Sequence, residues 1–95
     1  MPAYLIVYAK VDDAARFATY VAAVQPVIAA HGGRLMARAA PPEVLESEWP
    51  YETAGLLEFP SMEAAQGFWH SPEYVEVMKL RAGAADFQVV LAPGI

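Results

Sequence analysis

The chain contains no cysteine. Disulfides, thiolate nucleophiles and zinc–cysteine sites are thereby excluded, and a cytoplasmic location suits such a composition. Positive charge is scarce. Six lysines and arginines stand against eleven acids, for a formal net charge of −5. Lys10, Arg16, Arg34, Arg38, Lys79 and Arg81 are scattered and form no basic run. Phosphate-backbone binding needs clustered cations, so no nucleic acid partner is expected. The same balance disfavours an anionic membrane surface. No apolar run is long enough to span a bilayer. The N-terminus enters a strand pattern with no basic segment or small-residue cleavage site, so it does not read as a signal peptide. Gly32-Gly33 precedes a strand pattern rather than a helix, so there is no glycine-rich phosphate loop. His31, His70, Glu73 and Asp86 show no metal-ligand spacing, and neither a metal nor a cofactor is expected.

Apolar residues, by contrast, are plentiful. They make up 57 % of the chain, above the roughly 45–50 % of ordinary globular domains. At 95 residues the chain reads as one domain, 1–95. A domain this small has little interior, so part of the apolar surplus reaches the surface. A second copy of the chain is its simplest cover.

Hydrophobic periodicity places the elements. Ala3 to Ala9 is a near-continuous apolar run, as in a strand covered on both faces. Asp12 and Asp13 are N-cap candidates for a helix in which Phe17, Tyr20, Val24, Ile28 and His31 share one face. Pro26 predicts a kink or break near Gln25. Gly32-Gly33 ends the helix. Arg34 to Ala39 alternates as a strand, with Arg34, Met36 and Arg38 on one parity. Val44 to Ser47 reads as a short edge extension after Pro41-Pro42. Tyr51 to Phe59 is the third strand, with Gly55 as a bulge or close approach. Pro60 stops it and Ser61 caps the next helix. Ser71-Pro72-Glu73 breaks that helix and starts another, reaching about Ala82. Asp86 to Ala92 is the last strand.

The resulting order, βαββαβ, predicts an α+β ferredoxin-like fold with a four-stranded antiparallel sheet. Its second helix is broken at Ser71-Pro72. Helices cover one sheet face only. Strands one and three are apolar on both parities, so the bare face predicts homodimerisation sheet against sheet.

Five segments together resemble the family known as domain of unknown function 1330. They are Tyr20-Val21-Ala22-Ala23-Val24, His31-Gly32-Gly33-Arg34, Leu45-Glu46, Glu58-Phe59-Pro60-Ser61 and Ser71-Pro72-Glu73-Tyr74. The likeness covers essentially the whole chain. It implies a dimeric α/β barrel built from two ferredoxin-like subunits. That superfamily includes small monooxygenases, isomerases, dehydratases and stress-response proteins, but this branch has no established reaction. The chain departs from the family at Ala39-Ala40, where Gly-Gly is common, and at His70.

Candidate chemistry is sparse. His31 is the first candidate for proton transfer, with a structural role as a helix C-cap beside it. Arg38 is the candidate anion or carbonyl stabiliser. Arg34 and Arg38, opposite Glu52 and Glu58 in a hairpin, can equally form cross-strand ion pairs. Glu46 is a loop carboxylate that suits solvent or an interface. Tyr20, Phe68, Trp69 and Tyr74 either fill the core or wall a small-molecule pocket between sheet and helices. His70 reads as exposed or as a cap. These residues admit three readings: a homodimer with no assigned activity, a cofactor-independent enzyme acting on a small organic molecule, and a non-catalytic binding module.

Overall fold

One hydroxyl joins two helices at the break between them. Ser71 Oγ accepts from the Tyr74 N–H at 3.1 Å and donates to the Phe68 carbonyl at 2.8 Å. It thus starts one helix while satisfying the end of the one before. The computed structural model describes residues 1–95. The elements are β1 (Ala3–Val11), α1 (Ala14–Ala30), β2 (Arg34–Ala39), β3 (Thr53–Phe59), α2 (Met62–Trp69), α3 (Pro72–Met78) and β4 (Ala85–Pro93). A 3₁₀ turn at Lys79–Arg81 extends α3. The strands form one sheet in the order β2-β3-β1-β4, with every neighbouring pair antiparallel. This is the ferredoxin-like arrangement, with its second helix split at Ser71-Pro72 as expected.

The caps follow the sequence. Asp13 accepts from the Arg16 N–H at 3.1 Å, and Ser61 from the Ala64 N–H at 3.0 Å. Gly32 ends α1 at a φ of 76°. Its N–H reaches the Ala29 carbonyl and that of Gly33 reaches Ile28, each at 3.0 Å. This paired closure needs the left-handed glycine.

Three expectations need correction. First, α1 does not break at Pro26 but runs through it. Pro26 and Ala22, whose carbonyl loses its donor, are both exposed, so water can take the missing bond. Second, Val44 to Ser47 is loop, and β3 begins at Thr53. Third, the bulge is not at Gly55 but on β2, opposite Leu56 and Leu57. Leu35 pairs with Leu57 while Ala37 pairs with Leu56, which leaves Met36 as the extra residue on β2.

That bulge resorts the side chains. Cross-strand partners share a face. Arg34 pairs with Glu58, on the bare face with Tyr4. Arg38 pairs with Gly55, on the helix-covered face with Val7. One inserted residue therefore sends the two arginines to opposite sides, where simple alternation had put them together.

The core lies between the helices and the covered face. Tyr20, Val24 and Ile28 of α1 close over it, with Ala65 and Phe68 of α2 and Tyr74 of α3. Phe59, Phe68 and Tyr74 are its largest fully buried side chains. Their rings stack in series, Phe59 to Phe68 at 5.3 Å and Phe68 to Tyr74 at 4.5 Å. The bare face carries Tyr4, Ile6, Tyr8 and Leu56, with Val90 left 56 % exposed.

Candidate functional site

A cavity of about 110 Å³ lies between α1 and the covered face of the sheet. Leu5, Val7, Val24 and Leu57 are among its apolar walls. The aromatics singled out from sequence, Tyr20, Phe68, Trp69 and Tyr74, all reach its lining. Helical spacing brings them there. Tyr20 belongs to the inward stripe of α1, and the Ser71 turn sets Tyr74 against Trp69, with ring centroids 5.2 Å apart.

The polar groups of the lining are few, and none is an acid. They include Gln25, Thr53, Arg38, Arg81 and the two tyrosine hydroxyls. Arg38 enters because of the Met36 bulge. Arg81 comes from the 3₁₀ turn and had not been singled out. A signal for it exists in the sequence, since it stands seven residues after Tyr74, two helical turns along the same side. Its guanidinium carbon lies 4.5 Å from the Phe87 ring centroid and 5.8 Å from that of Trp69. Its Nη1 donates to the Tyr74 hydroxyl at 3.3 Å. Neither Arg38 nor Arg81 forms an ion pair.

The hydroxyls of Tyr20 and Tyr74 lie 2.8 Å apart. Burial pushes the Tyr74 phenol well above the ordinary tyrosine value. The neighbouring Tyr20 adds to this and Arg81 partly opposes it. Tyr74 therefore keeps its proton at any ordinary pH.

The remaining candidates lie elsewhere. His31 is the C-cap residue of α1, half-buried, with its ring edge-on to Phe68 at 5.9 Å. Its Nδ1 is 2.9 Å from the Val27 carbonyl and so donates to it. It is not part of the cavity lining. His70 is exposed at the end of α2 and borders a separate pocket of about 250 Å³ with Gln66. Glu46 is exposed on the loop after β2. Glu52 accepts from the Val11 N–H at 2.7 Å. Glu58 takes Arg34 at 3.0 Å and the Tyr4 hydroxyl at 3.1 Å. Of the expected cross-strand ion pairs, Arg34–Glu58 forms, and Arg38 remains without a carboxylate. No three histidine, aspartate or glutamate side chains converge as metal ligands. No helix is long and apolar enough to cross a membrane.

The fold recurs in solved structures. A protein of unknown function from Rhodopseudomonas palustris superposes with a TM-score of 0.82 at 19 % identity, covering 99 % of this chain and 82 % of its own. A dimeric protein of unknown function from Bacteroides fragilis, with a ferredoxin-like fold, gives 0.69 at 17 % identity, covering 98 % and 96 %. SnoaB, a cofactor-independent oxygenase from Streptomyces nogalater, gives 0.72 at 12 % identity, covering 99 % and 93 %. At these identities the likeness is one of fold. Among curated proteins nothing matches the sequence. The family model of domain of unknown function 1330 matches residues 2–95, and the chain belongs to that family.

Proposed function

We propose that the protein is a homodimer in which each subunit binds a small organic molecule in the cavity between sheet and helices. The carrying observation is the cavity itself, apolar over most of its wall and bounded by six aromatic rings from the helices and β4. A dry apolar cavity of about 150 Å³ encloses a benzene ring; at about 110 Å³ and partly open, this one suits a compact aliphatic or a single ring that projects in part through the opening. The dimer reading rests on the bare face, where Ile6, Leu56 and Val90 lack a cover, and on the dimeric Bacteroides fragilis relative. Only 14 of 95 residues are buried in the single chain, which leaves much apolar surface for a second sheet.

The test of the cavity is a titration with benzamide at millimolar concentration, followed by ¹H–¹⁵N NMR. The expected result is saturable shifts at the Trp69 indole and the Tyr74 amide. Shifts absent from both overturn the reading. Sedimentation velocity checks the dimer, since Leu56→Asp places a charge on the bare face and is expected to yield a monomer.

A second reading, cofactor-independent chemistry on the bound molecule, is favoured by the oxygenase SnoaB sharing this fold. In it Arg38, on the cavity wall, stabilises negative charge on the substrate. His31 fills the proton-transfer role only if its ring leaves the Val27 carbonyl, because that bond holds it outside the lining. Oxygen uptake above background with an autoxidisable hydroquinone supports this reading, and background rates argue for binding alone.

A further inference from the structure

Proton counting in the cavity leaves one donor without an acceptor. Tyr20 and Tyr74 hold two hydroxyl protons between them. One occupies the 2.8 Å bond joining their oxygens. The other has no protein acceptor, whichever ring carries it, because the only further partner is Arg81, itself a donor. Both rings are buried, at 8 % and 2 % residual exposure. A buried donor with an empty bonding direction favours any acceptor brought to it.

The guanidinium of Arg81 has the same need. It has five N–H groups and one protein hydrogen bond, to Tyr74. The rings of Phe87, Trp69 and Tyr20 hold it in place through their faces, at 4.5, 5.8 and 6.0 Å. Cation–π contact fixes the group without neutralising it. No aspartate or glutamate lines the cavity to do so. Acids outnumber cations in this chain by eleven to six, so a site with two arginines and no acid is a strong local exception.

We propose that Arg81 and the Tyr20–Tyr74 pair form an oxyanion subsite that takes the carboxylate of a compact aromatic acid whose ring fills the cavity. The assignment rests on the cavity reading above and names its ligand class. The geometry favours a carboxylate. One oxygen meets an Arg81 N–H and the other the free hydroxyl proton, while Arg81 and the tyrosine oxygen are already neighbours at 3.3 Å. A phosphate monoester brings a larger charge and three terminal oxygens into a wall that is mostly apolar.

Benzoate and benzamide are near-isosteric and differ in charge at pH 7, which makes them the probes. Their dissociation constants are read from the Trp69 indole and Tyr74 amide resonances of the full chain. Benzoate is expected to bind about tenfold more tightly than benzamide, or better. Arg81→Gln is expected to bring the two constants together, and Arg81→Lys to restore part of the difference. Removing both hydroxyls, in Tyr20→Phe/Tyr74→Phe, is expected to shrink the ratio as well. Either single change leaves one free proton, so the double variant is needed. Equal binding of both probes at Trp69 overturns the subsite and leaves the cavity reading standing. A preference for benzoate that survives Arg81→Gln also overturns it and assigns the anion to Arg38. Absence of shifts with either probe overturns both readings.

Discussion

On the bare face of the sheet Arg34 meets Glu58 at 3.0 Å, and the same carboxylate accepts from the Tyr4 hydroxyl. On the covered face Arg38 and Arg81 meet no carboxylate. Both faces are apolar at their centres, so what separates them is how charge is treated. Desolvating a lone charge is expensive, so the pairing of Arg34 with Glu58 suits the proposal that a second copy closes this face. The unpaired cations of the covered face suit the proposed acid ligand, whose carboxylate would complete them. Met36 is what makes this sorting possible. Its insertion moves Arg38 across the sheet while Arg34 stays with its partner.

The contrast is broken most strongly in the core of the covered face. Phe68 is fully buried, stacks on Phe59 and Tyr74, and also walls the cavity. Phe68→Ala opens a new void beside an existing one and is expected to cost about 3–5 kcal/mol. Val90→Ala, on a side chain that is 56 % exposed in the single chain, is expected to cost under about 1 kcal/mol in the monomeric Leu56→Asp background. Urea unfolding of the two variants measures both. Similar losses would mean that the two faces are not differently packed.

A smaller effect separates the faces at high pH. The folded pKa of Tyr74 lies above the ordinary value of 10.0. Its contribution is therefore fully present below pH 10. As pH rises further, the unfolded chain gives up the tyrosine proton while the folded chain holds it, so stability falls. One such proton gives a slope approaching 1.4 kcal/mol per pH unit, as an order of magnitude. Tyr74→Phe is expected to flatten the decline of unfolding free energy between about pH 10 and 11.5. An unchanged slope would contradict the buried, protonated phenol.

Much of this was legible in the sequence, for identifiable reasons. Strand and helix order, all three caps and the break at Ser71 are local signals, and local signals survive folding. The aromatic walls were readable because Tyr20 shares the inward stripe of α1 and Tyr74 follows a capped turn. The Met36 bulge was not readable. Bulges are fixed by pairing across a hairpin, and Met36 is as compatible with regular alternation as its neighbours are. Missing it put Arg34 and Arg38 on the same face. His31 does extend the inward stripe of α1, but periodicity gives direction and not distance along the axis. The helix carries it past the cavity to a cap. Arg81 had only its spacing from Tyr74 as a signal; its contact with Phe87 depends on a 3₁₀ turn that continues α3.

The weakest effect belongs to the bare face and sharpens the contrast most cleanly. Arg34 is exposed, so its ion pair with Glu58 is largely screened by water and contributes at most about 1 kcal/mol. Its clearer trace is on Tyr4, whose pKa is raised chiefly because its hydroxyl donates to the Glu58 carboxylate. Ionising that phenol would break the bond and set two anions side by side. Glu58→Gln removes the negative charge and weakens the acceptor together. It is therefore expected to lower the Tyr4 ionisation toward the ordinary value, with a stability change of about 1 kcal/mol or less. Spectrophotometric titration of the phenols, with Tyr4→Phe as the reference that identifies the Tyr4 contribution, measures the shift. If Tyr4 titrates unchanged in Glu58→Gln, the carboxylate does not hold the phenol proton, and the paired-charge account of the bare face loses its footing.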